Sequence, residues 1–188
     1  CLPQERAWRF ITQKMRSDGL QAVFQKSGGK WDMPSNTFYN EILIDHNMHP
    51  GHKHDLDDAN MVMEGLNPTC GDHIWLKLKV EDGVIVDGSF VGEGCAVSQA
   101  SADMMLDLII GQKVEDAEKL ADNFLKMIKG TATEEEIESL EEASALEDIA
   151  HMPARVKCAV LGWHTMEEML KCDKCSGHGE CSHCNPEG

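Results

Sequence analysis

The stretch Ile74-Trp75-Leu76-Lys77-Leu78-Lys79-Val80, followed by Glu81-Asp82-Gly83 and then Val84 to Val91, sets the architecture. Apolar residues at 74, 76, 78 and 80 alternate with Trp75, Lys77 and Lys79, the period of a strand with one buried face. Glu81-Asp82-Gly83 supplies a hairpin turn into the next strand. Upstream, Ala59 to Leu66 is short and apolar, so three antiparallel strands in a row are predicted. Downstream of Gly94 the period lengthens to about 3.6 residues. Val97, Ala100, Met104, Met105 and Leu108 mark one helix. Val114, Ala117, Leu120, Phe124, Leu125 and Ile128 mark a second, which Lys129-Gly130 ends. Thr133 with Glu136 makes a capping box for a third, and a last helix is expected from about Pro153 to Leu170. Before the strands, Ser35 or Asn36 caps a helix carrying Phe38, Ile42, Leu43 and His46 on one face, and His49-Pro50-Gly51 ends it. Strands followed by helices predict an α+β domain: a three-stranded antiparallel sheet with helices packed on one face.

The chain has 188 residues, with 33 Asp and Glu against 17 Lys and Arg, a formal net charge of −16. That excess repels phosphate backbones and disfavours a nucleic-acid partner. Hydrophobic residues make up 41%, enough to build a core. No apolar run approaches the ~20 residues of a membrane span, and no signal-peptide core is present, so a soluble cytoplasmic protein without a membrane partner is expected. The charge is uneven. Residues 1–32 carry six basic and three acidic residues, a net of +3, which leaves −19 for the rest. The chain opens on Cys1, whereas Met33-Pro34-Ser35 reads as a start. Residues 1–32 are therefore expected to be a non-native or poorly ordered extension, residues 33–171 the working domain, and residues 172–188 a short Cys-rich tail. Thr131 to Ala150 holds eight acidic residues and no basic ones, and reads as the solvated face of a helix.

Eight cysteines are the informative excess. In a reducing compartment, grouped cysteines are more often metal ligands or reactive thiols than disulfides. Cys1 is incidental. Cys70 sits in the turn Asn67-Pro68-Thr69-Cys70-Gly71-Asp72 between two strands, with Asp72 close enough for a carboxylate and a thiolate to face one metal. Cys95 follows Gly92-Glu93-Gly94 and opens the next helix, where orphan N–H groups gather. Cys158 lies in the last helix, just after Arg155 and Lys157. Taken singly, each packs as a small hydrophobe. Taken together, three thiolates and one carboxylate complete a tetrahedral site for zinc or iron. An Asp among the cysteines makes such a site harder and more exchangeable than four thiolates would. In the tail, Cys172, Cys175, Cys181 and Cys184 form two C-x-x-C pairs separated by five residues, a four-thiolate zinc pattern, with His178 or His183 as substitutes. The alternative is a tail that takes metal only opportunistically. His46, His49, His52 and His54 read as a solvated loop and receive no ligand role. No H-x-E is followed by P-C-x-x-C, so a zinc hydrolase or deaminase is disfavoured.

Asn67 to Asp72, Gly92-Glu93-Gly94-Cys95-Ala96-Val97-Ser98-Gln99-Ala100-Ser101-Ala102-Asp103 and Arg155-Val156-Lys157-Cys158 together resemble the NifU/IscU/SufU family of iron-sulfur cluster assembly proteins, over roughly Phe38 to Leu170. Lys157 stands where an IscU-type protein has His, and the acidic segment 131–150 looks like the insertion of the SufU branch. Met152 to Lys157 stands in place of the chaperone-binding Leu-Pro-Pro-Val-Lys motif. The resemblance implies that Cys70, Asp72, Cys95 and Cys158 ligate zinc. It implies that Cys70 or Cys158 takes up persulfide sulfur from a SufS-like cysteine desulfurase in the cytoplasm of a bacterium, the exposed loop position making Cys70 the first choice, with Arg155 and Lys157 supporting the anion. Such a protein is a sulfur acceptor more than a classical enzyme, and its sulfur passes to a downstream Suf scaffold or to apo iron-sulfur proteins. The alternative within the family is a scaffold on which a transient [2Fe-2S] cluster is built by the same residues. The tail lies outside the family core, and its four cysteines would hold a second zinc.

Overall fold

In β2 (Asp72–Glu81) the alternation in the sequence becomes a two-faced strand, with Ile74, Leu76 and Leu78 fully buried and Trp75 exposed on the opposite side. It is the centre of an antiparallel sheet of order β1-β2-β3, between β1 (Met61–Asn67) and β3 (Val84–Glu93). Asp82 and Gly83 both hold positive φ, 50° and 76°. This is the two-residue turn whose twist matches a right-handed hairpin, and Asp and Gly tolerate it where most residues do not. The computed structural model describes residues 41–176. The N-terminal extension, the helix start at Ser35 and the second C-x-x-C pair lie outside the described residues.

The other elements are α1 (Glu41–Met48), α2 (Ala96–Ile109), α3 (Val114–Ile128), α4 (Glu134–Glu138), a 3-10 segment (Glu141–His151), α5 (Pro153–Ala159) and α6 (Leu161–Ser176). Among them α2 is the central helix. Val97, Ala100, Ala102, Met105, Leu106 and Ile109 are all buried to zero exposure. On α3 and α6, Phe124 and Trp163 stack with ring centroids 4.3 Å apart and planes within 9°. Trp163 Nε1 donates to Ser101 Oγ at 3.1 Å, and Ser101 Oγ donates to the Ala159 carbonyl at 2.6 Å. This relay fixes α5 against α2 at the residue next to Cys158. No helix among the described residues is long and apolar enough to cross a membrane.

Two helix expectations are corrected. The acidic segment is not one helix. Thr133 does cap α4 in a full capping box with Glu136, but Glu141 takes a left-handed φ of 45° and turns the chain out of it. From the N-cap Leu140 onward, Leu140, Ala143, Leu146 and Ile149 are buried at every third residue, the face of a 3-10 helix with three residues per turn. The last helix is broken as well. α5 ends at Ala159 with Val160 as its C-cap, α6 starts at Leu161, and Gly162 then packs against Ala102 of α2.

Candidate metal centre

The site lies where the β1–β2 turn, the start of α2 and α5 meet. Asn67 ends β1 and pairs in register with Asp72, which begins β2, so the chain between them must reverse tightly. It does so because the Asn67 carbonyl accepts N–H groups from Cys70 and Gly71, at 3.2 and 2.9 Å. Gly71 supplies the left-handed φ of 74° that the reversal requires. Cys70 is thereby displayed, exposed, on the turn. Asp72, at 1% exposure, is held beneath it.

Gly92 (φ 123°) lets β3 pass the β2 backbone, since an added Cβ would meet the His73 carbonyl oxygen at 2.2 Å. The chain then reaches Cys95, the N-cap of α2, whose sulfur accepts the Ser98 N–H at 3.4 Å. The Cys95 backbone N–H donates to Asp72 Oδ1 at 2.7 Å. Cys158, fully buried on α5, completes the group. The thiols of Cys70 and Cys158 both point at the Ala154 carbonyl, at 3.8 and 3.9 Å.

Ligand atoms of Cys70, Asp72 and Cys158 lie within 4.8 Å of one another, a separation one metal ion can span. Cys95 stands outside that mutual span, yet its sulfur bears on Cys158. Burial, and then Cys70, Asp72 and Cys95 facing it, push the Cys158 thiol far above its ordinary value. Three sulfurs and a buried carboxylate need either protons or a cation among them. This donor set fits zinc or iron, and the Gly94 position leaves room beside it, since a Cβ there would come within 3.3 Å of Asp72 Oδ1. Lys157 is exposed and Arg155 half-buried on the same short helix. A groove of about 640 Å³ opens beside the turn, with Asn67, Thr69, Lys157 and His164 among its lining residues.

Sequence reasoning missed Asn67. It is 5% exposed; its Nδ2 donates to Asp72 Oδ2 at 2.9 Å and to Cys158 Sγ at 3.4 Å. The signal was present as a polar residue on the buried side of β1, two residues after buried Gly65.

The histidine loop also differs from expectation. His49 is exposed, as expected, but the His46 and His52 side chains keep only 12% and 19% of their exposure. His46 Nδ1 meets Asp103 Oδ2 at 2.8 Å, and Nε2 meets Glu142 Oε2 at 2.9 Å. His52 Nε2 meets Asp107 Oδ1 at 2.9 Å. Asp103 on α2 draws them in, because its buried carboxylate also accepts the backbone N–H groups of Gly51 and His52. In the tail, Cys172 is half-buried on the last turns of α6, and the backbone through Cys175 is helical, so the first C-x-x-C pair is carried on a helix end.

An α+β domain that brings Cys70, Asp72 and Cys158 together from a strand turn and a late helix, with Cys95 at a helix cap beside them, carries a donor set that could hold a metal ion, and comparison with known proteins identifies its family. The chain belongs to the family of the NifU-like N terminal domain, the IscU and SufU family, whose model matches residues 38–172. It is 44% identical over 133 residues to the iron-sulfur cluster assembly scaffold protein IscU of Thermotoga maritima, covering 71% of this chain and 92% of that one. It is 38% identical over 133 residues to the zinc-dependent sulfurtransferase SufU of Bacillus subtilis, covering 71% and 89%. Among solved structures, it resembles a putative iron-sulfur cluster assembly scaffold protein for the SUF system from Fervidobacterium islandicum, with a TM-score of 0.67, 34% identity and 71% and 96% coverage.

Proposed function

We propose that this protein accepts persulfide sulfur from a cysteine desulfurase on Cys70 and relays it for iron-sulfur cluster assembly. The observation that carries the reading is the gathering of Cys70, Asp72 and Cys158 within 4.8 Å, with only the first thiol exposed. Cys70, Asp72, Cys95 and Cys158 would hold zinc, which keeps bound thiols deprotonated and shielded from oxidation. Cys70 is the ligand a partner can reach. Its thiolate attacks the terminal sulfur of the partner's persulfide, forming a new S–S bond at Cys70. The partner's S–S bond breaks, its cysteine leaves as a thiolate, and the terminal proton travels with the transferred sulfur. One anion enters and one leaves, so no further oxidant or reductant is needed. Arg155 and Lys157 place positive charge on α5, where it favours the thiolate and the persulfide.

The SufU-like features of the chain, Lys157 before the third cysteine and the 131–150 insertion, support relay over scaffold. Residence in the bacterial cytoplasm and delivery to a Suf scaffold or apo iron-sulfur proteins belong to the same reading, and Cys172, Cys175, Cys181 and Cys184 would hold a second zinc. The second reading, a scaffold carrying a transient [2Fe-2S] cluster, is favoured by the name of the Thermotoga relative. One experiment separates them. The protein is purified anaerobically, its zinc and iron are measured, and it is mixed with a SufS-like desulfurase and cysteine. Relay predicts zinc, stimulated turnover and persulfide on Cys70, all but the zinc lost in Cys70→Ala. Iron with stable visible absorption and unstimulated turnover would replace relay with scaffold.

A further inference from the structure

Asn67 contributes no ligand atom to the cysteine site, yet it touches three of the four ligand positions. Its carbonyl holds the turn that presents Cys70, through the N–H groups of Cys70 and Gly71. Its side-chain oxygen accepts the Thr69 N–H at 3.3 Å. That bond fixes which way the amide faces, because the oxygen end is already committed to a donor. The NH2 end is left to point inward, where its two hydrogens match its two acceptors, Asp72 Oδ2 at 2.9 Å and Cys158 Sγ at 3.4 Å. The arrangement is nearly closed to water, Asn67 and Asp72 being buried and Cys158 fully so.

The three sulfurs are therefore unequal. Cys158 accepts the Asn67 amide, and Cys95 accepts the Ser98 N–H at the cap of α2. Among the described residues no N–H group donates to the Cys70 sulfur, which itself donates to the Ala154 carbonyl. An N–H bond to a metal-bound thiolate withdraws electron density from sulfur and fixes its direction, so it becomes a steadier ligand and a poorer nucleophile. Asp72 is tethered by the same amide. We propose that Asn67 is a positioning residue that divides the labour of the site: it locks Cys158 and Asp72 as fixed ligands and leaves Cys70 as the exchangeable one. This rests on the reading that the site holds a metal and that Cys70 takes the sulfur.

The test uses the full chain loaded with zinc, and in parallel with cobalt, as wild type, Asn67→Asp and Asn67→Ala. Asn67→Asp keeps the size and the acceptor for Thr69 N–H but turns an oxygen towards Asp72 and Cys158, so it removes the donor while sparing the turn. Zinc affinity is read by chelator competition, and limited alkylation with peptide mapping gives the Cys70 to Cys158 labelling ratio. The expected result is zinc affinity lower by about 10- to 100-fold in both variants, the range for losing an outer-shell partner. The labelling ratio should fall several-fold, and the thiolate-to-cobalt charge-transfer band should move to lower energy. The band shift is the reading that loosened packing alone does not produce.

Unchanged affinity, ratio and band in a folded Asn67→Asp would overturn the proposal while leaving sulfur relay intact. Wild type that holds no metal, or that accepts sulfur elsewhere than on Cys70, would instead overturn the reading beneath it. If Asn67→Ala does not fold, the Asn67→Asp spectra and affinity still decide.

Discussion

Among the described residues two places gather three ligand-type side chains within 4.8 Å, and they are opposites. One is Cys70, Asp72 and Cys158; the other is His46, Asp103 and Asp107. In the first, every member is neutral or negative, and the burial of Cys158 among them drives its thiol far upward. In the second, one member is a histidine whose protonated form its carboxylate neighbours favour. Burial pulls the His46 imidazole down, but its bonds to Asp103 and Glu142 and the charges of Asp103 and Asp107 outweigh it and hold its pKa above the ordinary value. For His52 the bond to Asp107 is the largest influence, and again the pKa is raised. Clustering alone therefore does not define a metal site. What separates the two is whether the cluster contains a group that can itself supply the counter-charge.

The sharpest way to break this contrast is to count zinc. Cys158→Ala should lower zinc affinity at the sulfur site by more than about 100-fold, beyond the loss of an outer-shell contact. His46→Ala should leave zinc per chain as in wild type. Chelator competition and metal analysis on both variants check this, and zinc lost in the His46 variant would make the second cluster a metal site after all. Next in size is the cost of removing the charge that anchors the second cluster. Asp103→Ala strands His46 Nδ1 and the backbone N–H groups of Gly51 and His52, at about 3 kcal/mol of stability. Urea unfolding with the metal content held constant would measure it.

Much of this was legible in the chain itself. The alternation from Ile74 to Val80 and the Asp82-Gly83 turn predict the sheet, because one buried face forces a period of two. The four residues Cys70, Asp72, Cys95 and Cys158 stand out by residue type, and the structure brings three of them together with the fourth at the edge. The spacing Leu140, Ala143, Leu146, Ile149 was equally visible, but the surrounding carboxylates drew the reading towards an ordinary solvated helix. What local pattern cannot show is depth. His46 looks like its loop neighbours until Asp103, 57 residues away, is folded onto it. Asn67 looks like turn chemistry until Cys158, 91 residues on, arrives at its amide.

The histidine cluster carries a pH signature of known sign. A His whose folded pKa lies above the unfolded value of about 6.5 adds stability that is complete below that value. The contribution is lost as pH rises through the folded pKa. For His46 and His52 the facing groups are Asp103 and Asp107 on α2 and Glu142 on the 3-10 segment, all carboxylates. Unfolding free energy should therefore decline from about pH 6.5 upward, and His46→Gln should flatten that slope. A slope identical in the variant would mean that the imidazole is neutral in the folded protein.

The smallest effect tests the contrast inside the loop itself. His49 follows His46 by three residues and also faces a carboxylate, Asp45 at 3.1 Å, but both side chains are more than three-quarters exposed. Water screens such a pair and solvates both partners in the unfolded chain, so holding the two side chains together gains little. His49→Ala should change stability by less than about 0.5 kcal/mol. The two histidines have the same chemistry and nearly the same sequence setting, so a clear loss at His49 would show that proximity to a carboxylate is enough. An effect confined to His46 assigns the stabilisation to its burial against Asp103 and the neighbouring carboxylates Asp107 and Glu142, which His49 lacks.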